Sequence, residues 1–223
     1  MSDTRPPRTK QRASPRKHAR AVIGRGPSHD QLYDLASQQA GYFTRDQALA
    51  SGFSDPLLFH HVQRGFFVRV RRGLYRFRQF PSFPRKEVIE AWLIVGPKDA
   101  VVSHESALEI LGLSDVIPNR IHLLVPRIRR SRRPITGVAI HTTKEPLRKG
   151  EVVVRDGIPV TAASRAIIDA ADTGIAQEQV VLAVRQAIEK GLTSPADLRR
   201  GATHRGAIVR DLIEQALTEA THT

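Results

Sequence analysis

The chain has 223 residues and carries 35 Lys and Arg against 22 Asp and Glu, a formal net charge of +13 at pH 7. This excess favours a polyanionic partner such as DNA, because basic side chains release counterions condensed on phosphates. A solvated basic surface, or the arginine-rich composition of a high-GC genome, is the alternative. Cysteine is absent, which excludes disulfides and thiolate metal sites. No apolar run approaches the roughly 20 residues of a membrane helix and no secretory signal pattern is visible, so we expect a cytoplasmic protein.

Residues 1–27 are rich in Arg, Lys, Pro and Ser and contain few large apolar side chains. Such a segment cannot bury enough apolar surface to offset the entropy lost on ordering. We therefore predict a disordered basic leader. Its role stays open between an arm on DNA phosphates and a solubilising segment.

Capping residues predict three short helices in the next segment. The predicted caps and helices are Ser28 with 29–39, Thr44 with 45–50 and Ser54 with 55–64. Two apolar runs then flank Arg71-Arg72-Gly73, a pattern typical of a β-hairpin. Helices followed by a basic hairpin are the order of a winged helix-turn-helix, which we assign to residues 28–80.

The third helix is the predicted recognition helix, because its polar side chains can reach base edges in the major groove. Leu57, Leu58, Phe59 and Val62 are predicted to form its buried stripe. The hairpin arginines suit phosphates and a narrow minor groove. An amphipathic surface helix and a sheet edge protected by charge are the alternatives. The predicted DNA-contacting residues are Arg45, Ser54, His60, His61, Gln63, Arg64, Arg69, Arg71, Arg72 and Arg76.

A second domain is predicted over residues 84–221, after a proline-containing linker at 81–84. It opens with an almost wholly apolar helix, Lys86–Val95, which indicates a second core. Further predicted elements are a Ser103-capped helix to Leu111, strands at 120–125, 137–142, 151–155 and 158–161, a Thr161-capped helix to Ala171, and helices at 176–190, 194–200 and 205–219. The predicted fold class is α+β: an N-terminal winged helix-turn-helix and a C-terminal mixed α/β domain ending in helices.

A second basic cluster lies in the loop between two of these strands. It could contact flanking DNA or an acidic or nucleotide-bearing partner, and a solvated loop is an equal alternative. Its members are Arg127, Arg129, Arg130, Arg132 and Arg133.

Metal and cofactor signatures are absent from the sequence. His104 and Glu105 are adjacent, but a second histidine four residues on, which the zinc signature requires, is missing. His60 and His61 likewise have no partner at that spacing, and there is no phosphate-binding glycine loop. We predict no metal, no cofactor and no enzymatic activity.

The alternative is a magnesium-dependent nucleic-acid enzyme that uses Asp156, Asp169 and Asp172. Asp156-Gly157 reads more simply as a turn. Arg165 and Asp169 stand four residues apart and predict a helix ion pair, weak because the charge order is the less favourable one.

Seven segments in this order are informative together: GYFTRDQALASG, GFSDPLL, RRGLYRF, VSHESALEILGL, RIHLLVP, GVAIH and GIPVTAASRAIIDAA. On these segments the chain resembles the AbiEi-type antitoxins of bacterial type IV toxin–antitoxin and abortive-infection systems. The resemblance covers about residues 28–220. The last segment contains the family's T-x-x-x-R-x-x-x-D spacing as Thr161, Arg165 and Asp169. The leader before Ser28 and the absence of Pro-Glu at Ala162-Ala163 depart from the family pattern.

The resemblance implies a winged helix that binds inverted repeats in its own promoter and represses the operon. It also implies a C-terminal domain that supports cooperative repression and carries the antitoxin activity, without a stable toxin complex. The implied toxin is nucleotidyltransferase-like and encoded next door, and the implied setting is phage defence. By the same resemblance, the DNA contacts would include Arg64, Arg69, Arg71, Arg72 and Arg76. A winged-helix regulator without a toxin partner is the further alternative.

Overall fold

The computed structural model of the chain describes residues 26–129 and 134–221. Nearly all of the predicted leader, 1–27, lies outside these ranges, and so do Arg130, Arg132 and Arg133. The described part combines α-helices with a three-stranded and a five-stranded sheet. The mixed architecture confirms the predicted fold class.

The N-terminal part is a winged helix-turn-helix. Its elements are α1 (His29–Ser37), β1 (Tyr42–Thr44), α2 (Arg45–Ala50), α3 (Asp55–Gln63), β2 (Phe67–Arg71) and β3 (Leu74–Phe77). The strands form an antiparallel sheet in the order β1-β3-β2, and the β2–β3 hairpin is the wing. The three-residue strand β1 was not predicted, because it is too short to show an alternating pattern.

The predicted caps of the first three helices are confirmed. The Oγ atoms of Ser28 and Ser54 accept hydrogen bonds from backbone N–H groups three residues on. Thr44 and Gln47 form a reciprocal capping box, in which each side chain accepts from the other residue's backbone N–H. These local bonds satisfy N–H groups that the start of a helix leaves without partners.

An aromatic core holds the N-terminal part together. Phe43 and Phe67 are almost completely buried, and their ring centroids lie 5.0 Å apart with an edge-on geometry. Leu58 anchors α3 in this cluster. The prediction that Phe59 belongs to the buried stripe is wrong: its side chain is 65% exposed, because it follows Leu58 by 100° around the helix.

The C-terminal part contains a mixed sheet in the order β6-β5-β4-β8-β7 and six α-helices among the described residues. Strands β5 and β6 run parallel, as do β4 and β8, while the other two pairs are antiparallel. The elements are α4 (Lys86–Val95), β4 (Val101–Val102), α5 (His104–Leu111), β5 (Ile121–Pro126), β6 (Val138–Thr143), β7 (Val152–Arg155), β8 (Ile158–Thr161), α6 (Ala163–Asp172), α7 (Gln177–Glu189), α8 (Pro195–Ala202) and α9 (Ala207–Thr221). The predicted helical ending is confirmed.

Two predicted caps in this part are wrong. Ala162 stands at the N-cap of α6, and the side chain of Thr161 is fully buried and makes no capping bond. Ser103 occupies the N-cap of α5, but its Oγ lies 2.8 Å from Nδ1 of His104 and makes no bond to the helix backbone. In both cases burial directs the side chain away from the helix start.

The two parts are in contact through α4 and the turn between β7 and β8. Tyr42 of β1 is buried against α4, and its hydroxyl donates to Glu90 at 3.2 Å. Gly157 approaches the carbonyl of Gln38 so closely that a Cβ there would lie 2.0 Å from the oxygen. The predicted boundary near residues 81–84 stays a prediction.

Within the described ranges, the helices are all too short or too polar to cross a lipid bilayer.

Candidate nucleic-acid interface

Arg45 fixes the relative position of α2 and α3. Its Nε donates to Oδ1 of Asp55 at 2.7 Å, and a second nitrogen contacts the other carboxylate oxygen. The hydrogen bond from Arg45 lowers the pKa of Asp55 below its usual value. Arg45, a predicted DNA contact, is therefore engaged in a bidentate pair between the two helices of the motif.

The exposed face of α3 presents several of the predicted residues together. His60, Gln63 and Arg64 are exposed, and the spacing of three and four residues places them on one side of the helix. Phe59 joins them, a residue that sequence reasoning had placed in the core. Ser54 stands at the start of α3, where its Oγ accepts from Leu57 N at 3.4 Å.

His61 points away from that face. Its ring is half-buried among aromatic rings, with centroid distances of 4.9 Å to His29 and 5.0 Å to Phe67. Burial, together with the neighbouring His29 and His60, lowers the pKa of His61. The ring packs the base of the recognition helix onto β2.

The wing arginines fall into two groups. Arg69 and Arg72 are exposed and make no ion pair with any residue in the described ranges. Arg71 lies 3.5 Å from Glu90 of α4. Arg76 donates to the carbonyl of Phe80 at 2.7 Å and stacks over the ring of Tyr42.

A groove of about 1490 Å³ lies between α3, the wing and the C-terminal end of α4. Phe59 and Gln63 line it from the helix, and Arg69 and Arg72 line it from the wing. Side chains of α3 and of the wing therefore border one groove, whereas His60 and Arg64 lie outside its lining.

Of the second basic cluster, only Arg127 has a described side chain. It is exposed in a short 3-10 turn, Arg127–Arg129, that follows β5. The structure therefore shows nothing of how these arginines are arranged together.

Residues 30–78 match the AbiEi_4 family, described as "Transcriptional regulator, AbiEi antitoxin". The match covers α1 to β3 and confirms the resemblance over this segment. The chain is similar in fold to the crystal structure of the RV2827C protein from Mycobacterium tuberculosis. The TM-score is 0.55 at 15% sequence identity, over 85% of this chain and 75% of that one. At that identity the likeness shows the fold alone. No curated protein matches the chain in sequence.

Outside the AbiEi_4 segment, the predicted helix pair of Arg165 and Asp169 is part of a larger network. Asp169 is almost fully buried and accepts from Nε of Arg165 at 2.8 Å and from Arg205. Arg205 also bonds Asp172 at 2.8 Å. The predicted ion pair of Arg165 and Asp169 is confirmed, and Arg205 joins it from the loop before α9, a position that helical spacing could not indicate.

The same contacts bear on the alternative of a magnesium enzyme. Asp156 lies 2.8 Å from Arg85, and Asp169 and Asp172 share Arg205. All three carboxylates are therefore neutralised by guanidinium groups, and Asp156 belongs to a different arginine pair from the other two. This arrangement does not resemble a pair of carboxylates held for a magnesium ion.

The structure also brings together three histidines that sequence reasoning did not connect. His104, His122 and His141 each offer a ring nitrogen, and these nitrogens lie within 4.8 Å of one another. Burial and the two neighbouring imidazoles lower the pKa of His104 to about 2, and burial also lowers those of His122 and His141. The three residues are 18 and 19 positions apart, so no short motif could have revealed them.

Proposed function

We propose that this protein is a DNA-binding transcriptional repressor of its own operon and an antitoxin that counteracts a nucleotidyltransferase-like toxin. The observation that carries the proposal is the set of free arginines around the exposed face of α3. Arg64, Arg69 and Arg72 are exposed and make no ion pair within the described ranges. The family match over the same segment supports a regulator of the antitoxin type.

Free arginines are the ones that can bind phosphate without first losing a partner. Arg45 would have to break its bidentate bond to Asp55, and Arg71 its contact with Glu90. We therefore assign backbone contacts to Arg64, Arg69 and Arg72, and structural support to Arg45 and Arg76. Phosphate contacts fix the protein on the duplex without reading its sequence.

Sequence would be read by the residues that project from α3. An amide such as that of Gln63 can pair with adenine, and an exposed ring such as that of Phe59 can contact a thymine methyl group. His60, three residues before Gln63, lies beside it on the same side of the helix. An inverted repeat in the promoter would require two copies of the chain on the DNA.

The antitoxin part of the proposal rests on the family description and on the toxin that the resemblance implies. In this proposal the toxin is encoded beside the gene in a type IV system of phage defence, and it forms no stable complex with the antitoxin. Co-expression of the neighbouring gene in a bacterial host tests this part. Rescue of growth by the full chain supports it, and unrelieved toxicity contradicts it.

The repressor part is tested by a mobility-shift assay with the DNA upstream of the gene and an unrelated fragment, at near-physiological salt. We expect selective binding in two steps, one for each half-site. Equal binding to both fragments would reduce the DNA interaction to a general effect of the +13 charge.

Paired variants locate the interface. Each lost phosphate contact lowers the slope of log K against log salt by about 0.9. The double variant Arg69→Ala/Arg72→Ala should therefore weaken binding and lower the slope by about 1.8. Arg155→Ala/Arg210→Ala removes the same charge from exposed positions in the C-terminal part and serves as the control. Equal slopes for the two double variants would refute the assignment of the wing.

A further inference from the structure

We propose that His104, His122 and His141 bind one divalent transition-metal ion of the zinc class, with water in the fourth position. The site lies in the C-terminal part, outside the segment that matches the regulator family. It is independent of the proposed DNA interface and stands on its own observations.

The backbone brings the three side chains together. In the parallel pair β5–β6, His141 is the register partner of Leu124, which is two residues from His122. Residues two apart on a strand share a face, so His122 and His141 project from the same side of the sheet. The backbone N–H of Ser103 donates to the carbonyl of His122 at 3.0 Å, which places His104 beside them.

The contacts of the ring nitrogens indicate which atom of each histidine would face a metal ion. Nδ1 of His104 lies 2.8 Å from Ser103 Oγ, which leaves Nε2 for a metal. Nε2 of His141 lies 3.1 Å from Nδ1 of His122. These two nitrogens share a hydrogen bond, and their separation is close to the roughly 3.3 Å between two nitrogens bound to one tetrahedral zinc at 2.0–2.1 Å, so a small ring movement exchanges the hydrogen bond for the metal.

Glu105 is placed to become the outer partner of His122. Nε2 of His122 lies 3.9 Å from Oε2 of Glu105, which is longer than a hydrogen bond, so metal binding has to draw the two atoms together. A carboxylate behind a ligating histidine orients the ring and raises the basicity of the ligand nitrogen. Glu105 therefore fits the role of the orienting carboxylate rather than that of a ligand.

The ring spacing defines the one movement that binding requires. Two imidazoles on a tetrahedral ion have centroids roughly 5 Å apart, by the same bond lengths. The rings of His122 and His141 are 5.1 Å apart and those of His104 and His122 are 5.8 Å apart. His104 and His141 stack at 3.6 Å. Metal binding therefore requires the rings of His104 and His141 to separate, and His141, half-buried on the edge strand β6, is the more exposed of the two.

Backbone strain is a second, independent observation at the same place. His104 adopts the left-handed conformation, with φ +53°, although it carries a side chain. Such a conformation costs free energy, and residues of this kind cluster at functional sites. Ser103 and His104 are both buried, and the Ser103 contact and the rings of His122 and His141 surround the imidazole of His104.

The ligand set, three neutral imidazoles and no thiolate, indicates which class of metal ion the site would bind. Imidazole suits zinc, copper, iron and nickel, whereas magnesium and calcium prefer oxygen ligands. Three protein ligands leave one coordination position open to water. The ion would tie α5 to β5 and β6, near Asp169, whose charge acts on His141, and near Arg165 and Arg205, whose charges act on His104.

Zinc binding by the full chain tests the proposal. The purified protein is stripped with a chelator and titrated with Zn²⁺ against a chromophoric competitor. We expect one equivalent per chain, and we expect Co²⁺ to give the intense visible absorption of a tetrahedral site. Weak binding at several sites per chain, or octahedral Co²⁺ spectra, would overturn the assignment.

Variants decide which residues hold the ion. Glu105→Gln should weaken zinc binding by roughly 10–100-fold, the usual effect of losing an orienting carboxylate. His141→Ala removes a ligand from a half-buried edge position and should weaken binding further, with an unchanged far-ultraviolet circular dichroism spectrum. His204→Ala, which removes an exposed histidine outside the cluster, is the control. Unchanged affinity in His141→Ala would refute the site.

Discussion

Replacing His104 by asparagine should remove a large part of the protein's sensitivity to acid. His104 is 5% exposed, and its burial, with help from His141 and His122, lowers its pKa to about 2. In the unfolded chain a histidine titrates near its ordinary pKa of about 6.5. Below that pH the unfolded state binds a proton that the folded state does not bind, so the free energy of unfolding falls as the pH falls.

The size of the effect follows from these two pKa values. Between about pH 7.5 and pH 5.0, His104 alone lowers the free energy of unfolding by about 2 kcal/mol. Asparagine cannot take up the proton, and it tolerates the left-handed backbone at this position better than most residues. In the unsubstituted chain the free energy of unfolding falls between about pH 7.5 and pH 5.0. In the variant this fall should be smaller by about 2 kcal/mol, whatever the variant's stability at pH 7.5.

The assay is urea unfolding at both pH values, followed by circular dichroism. A chelator is present throughout, because a bound metal would add its own dependence on pH. His204→Asn is the matched control for the loss of a histidine. If the free energy of unfolding of His104→Asn depended on pH as strongly as that of the unsubstituted chain, the lowered pKa of His104 would be refuted.

Two further substitutions test the packing of the C-terminal part by the same unfolding measurement. Gly157→Ala should destabilise the protein by more than Gly150→Ala, since both have a positive φ but only the Cβ at Gly157 would meet the carbonyl of Gln38. Equal losses of unfolding free energy in the two variants would show that backbone strain at positive φ, about 1–3 kcal/mol, explains both, and that the contact with Gln38 adds nothing. Asp169→Ala should lower the free energy of unfolding by about 3 kcal/mol, because Arg165 and Arg205 then lose the buried carboxylate that pairs with their charges. Asp172→Ala, at an exposed carboxylate, should cost less than about 1 kcal/mol, and a similar loss at both positions would argue against the buried network.

Helix positions were predictable because their signals are local. Arg45–Ala50 and Lys86–Val95 have the predicted bounds, since the Thr44 cap and Gly52 delimit the first, and an apolar run that ends at Gly96 delimits the second. The strands β1 and β4 were missed, because two or three residues show no period. They form only because a neighbouring strand supplies the hydrogen-bond partners.

The candidate DNA interface was predictable as a segment but not residue by residue. The sequence indicated an arginine-rich wing beside a recognition helix, and Arg69 and Arg72 lie exposed there. It could not indicate that Arg71 faces Glu90 or that Phe59 is exposed, because these depend on how α4 and α3 pack. Charge is a property of composition, whereas the availability of a charge depends on its neighbours in space.

The sequence by itself determined the order of the elements, the basic wing and the absence of any cysteine chemistry, since each of these is encoded in residues close together in the chain. Only the tertiary structure decided which distant residues meet. Asp169 receives Arg205 from 36 positions away, and His104, His122 and His141 converge from α5, β5 and β6. The physical reason is that burial selects partners by shape and charge across the whole fold, and no local pattern records that selection.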